Sequence, residues 1–232
     1  MRFEYLNIST EQEDHEDICN LLNKIAETGR SVSCVNYYME MPIVSKSKIV
    51  ASDQGAFVVY PAENQLKVMS EKLKTIINVD SDKCILANCQ AISMKTNEAV
   101  LSGFRYISLH CENRDACRVR LIKPINVTLE TENGKMAGVL KDISLSGCRV
   151  ATFMRTLQPG ANVKLMLKMF DAATSSVVDI AANAVLMRME SDKMPIACGF
   201  RFELDSITEE KLVHFINQRQ MELIKSLKDS LT

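Results

Sequence analysis

The sequence predicts a mainly β protein of two domains: a C-terminal six-stranded antiparallel β-barrel carrying a C-terminal helix, preceded by a smaller β-rich domain that begins with a helix. Three observations predict it. Beyond residue 118, six runs rich in Val, Ile, Leu and Met fall within about ninety residues with no helical period between them, which suits a barrel better than a βαβ sheet. Stretches with helical periodicity and capping signals stand near both ends of the chain. A length of 232 residues, 47% hydrophobic and 25% charged, allows two independently buried cores.

The elements follow in order. Thr10 with Glu13 forms a capping box, and Ile18, Leu21, Leu22 and Ile25 then repeat at helical spacing until Gly29, predicting a helix over about 11–28. From Ser31 to Ile107 the pattern changes to short runs rich in Val, Ile, Tyr and Phe, such as 49–51, 56–60 and 99–107. Residues 71–77 read equally well as helix or strand. The charged and small residues of 109–118 interrupt the apolar patterning and mark the linker, giving domains of 1–110 and 111–232.

Beyond the linker, runs 119–130 and 135–143 are joined by Glu132-Asn133-Gly134, a strong hairpin signal. Runs 148–153, 163–169, 177–189 and 196–204 continue the series, with Pro159-Gly160 at one connection. Ser206 with Glu209 predicts a second capping box. Leu212, Val213, Ile216, Leu223, Ile224, Leu227 and Leu231 then lie along one side of a helix over about 207–230, which should cover an open barrel end.

Composition narrows the function classes. A net charge of -1 argues against a partner that is a nucleic-acid polymer. Locally, Arg114, Arg118, Arg120 and Lys123 face only Glu112 and Asp115, an excess of two positive charges that suits a small anion. No apolar run is long enough to span a membrane, and the acidic first residues are unlike a leader, so a cytoplasmic location is expected.

Cys19, Cys34, Cys84, Cys89, Cys111, Cys117, Cys148 and Cys198 form no C-x-x-C pair and read as reduced, apolar thiols. His15, His110 and His214 stand apart and read as surface or structural residues. With no G-x-S-x-G, no H-E-x-x-H and no Gly-rich phosphate loop, we expect no catalytic residues, no metal, no cofactor and no enzymatic activity. The 13 methionines, among them Met166, Met169, Met187 and Met189, read as core filler.

Two motifs carry the functional reading. Arg114-Asp-Ala-Cys-Arg118 is an R-x-x-x-R, and Asp142-Ile-Ser144-Leu-Ser-Gly147 is a D-x-S-x-x-G. Taken singly, the arginines suit solvated charges paired with Glu112 or Asp115, and the second motif suits a turn closing a hairpin. In this order and separation, with Cys198-Gly-Phe-Arg-Phe202 before the last helix, they resemble the PilZ-domain family of bacterial cyclic di-GMP receptors over about half the chain. The resemblance implies a six-stranded barrel with the arginines on a flexible segment leading into it and the second motif on its surface. The two-domain layout also resembles the flagellar-brake type of receptor.

The ligand's chemistry matches these residue types. Cyclic di-GMP offers two phosphodiester anions and two guanines, and arginine both forks onto phosphate oxygens and stacks on purine faces. Guanine's N1–H and N2 amine form a donor edge that the Asp142 carboxylate is able to accept, with Ser144 supplying a hydroxyl and Gly147 allowing close backbone approach. Asn113, Cys117 and Arg120 flank the arginines as secondary candidates, and in the family the position of Asn113 influences whether one or two ligands bind. Two arginine contacts worth about 1.5–3 kcal/mol each barely offset an association cost of roughly 4 kcal/mol or more, so micromolar affinity requires both motifs.

The expected function is that of a receptor whose ligand resets the arrangement of two domains and thereby regulates a downstream protein in motility, biofilm formation or exopolysaccharide production, with a homodimer compatible. The alternative is a ligand-independent interaction module that uses the two terminal helices, supported by the apolar stripe running on to Leu231.

Overall fold

The computed structural model describes residues 3–52, 55–80, 83–109, 116–153, 157–171, 174–190 and 194–229. The N-terminal elements are β1 (Phe3–Tyr5), α1 (Glu11–Glu27), β2 (Ser31–Tyr38), β3 (Met41–Ala51), β4 (Phe57–Val59), α2 (Glu63–Lys72), β5 (Lys74–Asp80), β6 (Lys83–Ser93) and β7 (Glu98–Leu109). The C-terminal elements are β8 (Val119–Thr131), β9 (Gly134–Ser144), β10 (Gly147–Thr152), β11 (Asn162–Asp171), β12 (Ser176–Met189), β13 (Ile196–Glu203) and α3 (Ser206–Asp229). The chain divides into two compact units, the first built on β1–β7 with α1 and α2, the second on β8–β13, most of α3 and the short stretch Met39–Met41.

In the first unit the sheet runs β1-β7-β4-β3-β2-β5-β6, and β6 also pairs with β7, so six strands close into a barrel with β1 appended outside. The sequence foresaw a β-rich domain here but not its closure. The capping box of Thr10 and Glu13 opens α1, whose Ile18, Leu22 and Ile25 pack into a core with Phe57, Leu66 and Phe104. Burying each such side chain contributes about 1.5–3 kcal/mol. The ambiguous stretch 71–77 proves to be both structures. α2 ends at Lys72, Leu73 turns into the left-handed region at φ 52° with its N–H on Met69 O at 2.7 Å, and β5 starts at Lys74.

The second unit is the closed six-stranded antiparallel barrel that the sequence predicts, in the order β10-β13-β12-β11-β8-β9. Alternate residues fill it, as in Val163, Leu165, Leu167 and Met169 on β11 and Ile180, Ala182, Ala184 and Leu186 on β12. The β8–β9 turn is made by Glu132 and Asn133. Thr131 pairs with Gly134, and its hydroxyl accepts the Asn133 N–H and donates to Gly134 O, both at 3.2 Å.

Three expectations need correcting. The last helix is capped one residue early: Asp205 Oδ1 accepts the Thr208 N–H at 2.8 Å, so the cap is a carboxylate rather than the Ser206 hydroxyl. Phe215, outside the apolar stripe read from the sequence, is buried beside Leu212 and Ile216. Met169 fills the core as expected, but Met187 lies on the outer face of β12 and is 51% exposed. No helix among the described residues is long and apolar enough to cross a membrane.

Candidate ligand-binding site

The D-x-S-x-x-G motif is the tip of the β9–β10 hairpin. Leu145 and Ser146 make the turn between Ser144 and Gly147, which are paired across it. The buried Ser144 hydroxyl donates to Gly147 O at 3.1 Å and lies 3.2 Å from Ser146 Oγ, while Ser146 O accepts the Phe202 N–H of β13 at 3.0 Å. A Cβ at Gly147 would overlap Phe200 O and come within 3.1 Å of Phe200 C and 3.2 Å of Arg201 Cα. The glycine is thus required by the close passage of β13.

A two-residue turn also fixes what lies opposite what. Ile143 pairs with Cys148, and Asp142 with Arg149. Asp142 is fully buried, and two guanidinium groups meet its carboxylate: Arg149 Nε at 2.7 Å from Oδ2 and Arg118 Nη1 at 3.3 Å from Oδ1. Arg149 reaches on to Glu190 at 3.4 Å, and Glu190 to Arg188 at 2.9 Å, so charges alternate from Arg118 to Arg188. Glycine at 199 gives this row space, since a Cβ there would stand 3.3 Å from Arg188 Cγ.

The electrostatics are unbalanced. Burial pushes the Asp142 carboxyl above its usual value, and the charges of Arg118 and Arg149 oppose that shift without cancelling it. Burial pulls Arg149 down, but Asp142 and Glu190 outweigh it and hold the guanidinium above its usual value. The contacts on Asp142 are charge-assisted, Arg149 at 2.7 Å and Arg118 looser at 3.3 Å, and neither is aligned well enough to fill the carboxylate's acceptor sites. An ionised carboxylate presents about four lone-pair sites. Asp142 therefore keeps acceptor capacity in a place where such capacity is normally filled.

Of the residues expected from the sequence, the structure brings together Arg118, Asp142, Ser144 and Gly147. Asn113 and Arg114 lie outside the described residues. Cys117 is exposed beside Arg118, its Sγ 3.9 Å from Arg118 O. Arg120 is exposed on β8 and is the strand partner of Asp142 from the other side, just before the β8–β9 pairing is interrupted. Sequence reasoning missed Arg149, Arg188 and Glu190. The first was legible, because a turn at 145–146 places residue 149 opposite residue 142. The other two come from a distant strand.

Cys148, adjacent to the motif, is a barrel residue, and burial pushes its thiol far up. His15 stacks on Phe104, and His214 meets Asp171 at 3.2 Å on the surface. No group of three or more potential metal ligands occurs among the described residues.

Residues 112–218 match the family model of the PilZ domain. This chain thus contains a PilZ-like domain over residues 112–218. The matched span takes in Arg114, Arg118 and the β9–β10 tip. No curated protein matches the chain significantly. Among solved structures it is similar to the inhibitor of motility MotI/DgrA of Bacillus subtilis, at 15% identity and TM-score 0.41, over 84% of this chain and 97% of that one. It is also similar to YcgR from Escherichia coli in complex with c-di-GMP, at 13% identity and TM-score 0.45, over 97% and 100%. A third is MrkH of K. pneumonia in complex with c-di-GMP, at 14% identity and TM-score 0.41, over 93% and 96%.

Proposed function

We propose that this protein is a receptor for cyclic di-GMP, with residues 111–232 as the binding domain and 1–110 as the domain whose arrangement the ligand alters. The observation that carries the reading is the meeting of Arg118 and Asp142, from separate segments, at a buried carboxylate whose acceptor sites its two guanidinium neighbours leave partly open. Guanine's N1–H and N2 amine supply two parallel donors of the kind that carboxylate lacks. Arg118, released from Asp142, turns with Arg114 to the phosphates and a guanine face. The Ser144 hydroxyl already donates to Gly147 O, so toward the ligand it acts as an acceptor. Gly147 keeps the turn against β13, and Asn113, Cys117 and Arg120 form the rim.

Capturing the anion orders the segment between the domains and changes how they are arranged, which regulates a downstream protein in motility, biofilm formation or exopolysaccharide production. No catalysis is invoked: the ligand is bound and released unchanged. Calorimetric titration of cyclic di-GMP tests the site. Wild type is expected to bind at micromolar concentration or better, and Arg114→Ala and Arg118→Ala to lose most of the heat with unchanged circular dichroism; equal binding would reassign the arginines. Identical small-angle scattering with and without saturating ligand would remove the rearrangement while leaving binding intact.

A further inference from the structure

We infer that Arg149, tethered by Glu190, is a positioning residue that holds the Asp142 carboxylate ionised and in place while Arg118 leaves it for the ligand. The inference rests on the cyclic di-GMP reading of the site and adds a residue that belongs to neither motif.

The geometry separates the two arginines. Arg118 precedes β8, is 21% exposed and contacts Asp142 through a terminal nitrogen at 3.3 Å. Arg149 stands within the sheet, paired with Asp142 on β9 and with Gly199 on β13. It contacts Asp142 through Nε at 2.7 Å, and its outer nitrogen is held by Glu190, itself paired with Arg188. Arg149 cannot follow a ligand outward without abandoning two carboxylates, whereas Arg118 abandons one.

A buried carboxylate stripped of both cations would take up a proton, and a protonated carboxyl no longer accepts both hydrogens of a guanine edge. The described groups around Asp142 are Arg118 from the segment before β8, Arg120 as its exposed strand partner on β8, Arg149 and the Cys148 thiol from β10, and Glu40 of the Met39–Met41 stretch. Glu40 and burial favour the proton, and Arg118 and Arg149 oppose it. Once Arg118 departs, Arg149 is the cation still in ion-pair contact with the carboxylate, while Arg120 stays exposed on the neighbouring strand.

The test is cyclic di-GMP affinity between pH 5 and 8, a window in which the ligand itself does not titrate. Wild type and Arg149→Lys are expected to bind with affinity that changes less than about twofold across the window. Arg149→Met is expected to bind more weakly, losing about tenfold per pH unit once the pH falls below the raised pKa of Asp142. Arg149→Gln, polar and uncharged, is the second variant should methionine prevent folding, and is expected to show the same slope. A charge-free variant with a flat, wild-type profile overturns the inference. Absence of binding by wild type at every pH instead overturns the underlying reading of the site, so the two failures are distinct.

Discussion

Two buried aspartates, one in each unit, show how differently the same side chain is employed. Asp14, on α1, is 5% exposed, and it accepts the Ile8 N–H at 3.0 Å, the Ser9 N–H at 3.0 Å and the Ser9 hydroxyl at 2.9 Å. Asp142, on β9, is completely buried, yet its contacts are two guanidinium ions, at 2.7 and 3.3 Å, that do not fill its acceptor sites. The first carboxylate is satisfied by neighbours in its own loop, and it fastens the chain before α1. The second sits beside cations from two other segments, and its lone pairs remain open to a donor. The neutral cluster under α2 resembles the first: Asn36 accepts from Gln65 Nε2 at 2.6 Å and Thr75 Oγ1 at 2.7 Å and donates to Lys74 O at 2.6 Å. Neither burial nor one open acceptor marks a functional polar group, since Gln65 Oε1 in this cluster is also buried without a partner; Asp142 differs in being a charged group whose open acceptors lie beside two cations.

Substitutions at the two aspartates give the largest expected contrast. Asp142→Asn replaces an acceptor pair by one acceptor and one donor and is expected to weaken cyclic di-GMP binding about 100-fold, equivalent to about 2.7 kcal/mol. Asp14→Ala should leave affinity within about twofold while lowering stability by about 2 kcal/mol, seen as an earlier urea transition. Were Asp14→Ala to abolish binding, or Asp142→Asn to leave it intact, the distinction would collapse.

Gly147→Ala sharpens the comparison from the side of the backbone. Its Cβ would overlap Phe200 O, so strands β10 and β13 must separate. A loss of about 1–3 kcal/mol is expected, with a lower thermal midpoint in the absence of ligand. If binding falls with no change in the midpoint, the glycine serves the ligand directly.

The smallest effect is a pH dependence of stability. The folded pKa of Asp142 lies above 3.8, so ionising this group costs folding free energy at all pH values above its raised pKa. As the pH falls from there toward 3.8, the folded protein takes up the proton before the unfolded chain does, and this cost is relieved. Asp142→Asn lacks that group. Urea midpoints measured at neutral and mildly acidic pH should therefore improve for wild type relative to the variant on acidification, and a constant difference would contradict the raised pKa.

The parts of this fold legible in the sequence were those set by local rules. The Thr10 cap, the hairpin turn at Glu132-Asn133 and the alternating runs of β11 and β12 each follow from a few neighbouring residues. Closure of the N-terminal barrel did not. β6, whose sequence mixes Ala, Asn, Gln and Cys among its apolar residues, has weak strand preference, and it becomes a strand by pairing with both β5 and β7. The α2–β5 junction was equally obscure because a leucine, not a glycine, takes the left-handed position. At the site, type and spacing were enough to select Arg118, Asp142, Ser144 and Gly147 as candidates, while Glu190 and Arg188 depend on how a distant strand is registered.

The register of the β9–β10 hairpin bears on how the protein is made. Asp142 and Arg149 are seven positions apart and meet across a two-residue turn, so their pairing requires no long loop to close. On the ribosome, this pair is able to form before β13 has been synthesised. The nascent chain then carries this ion pair with one edge of β10 bare until β13 arrives to shield it.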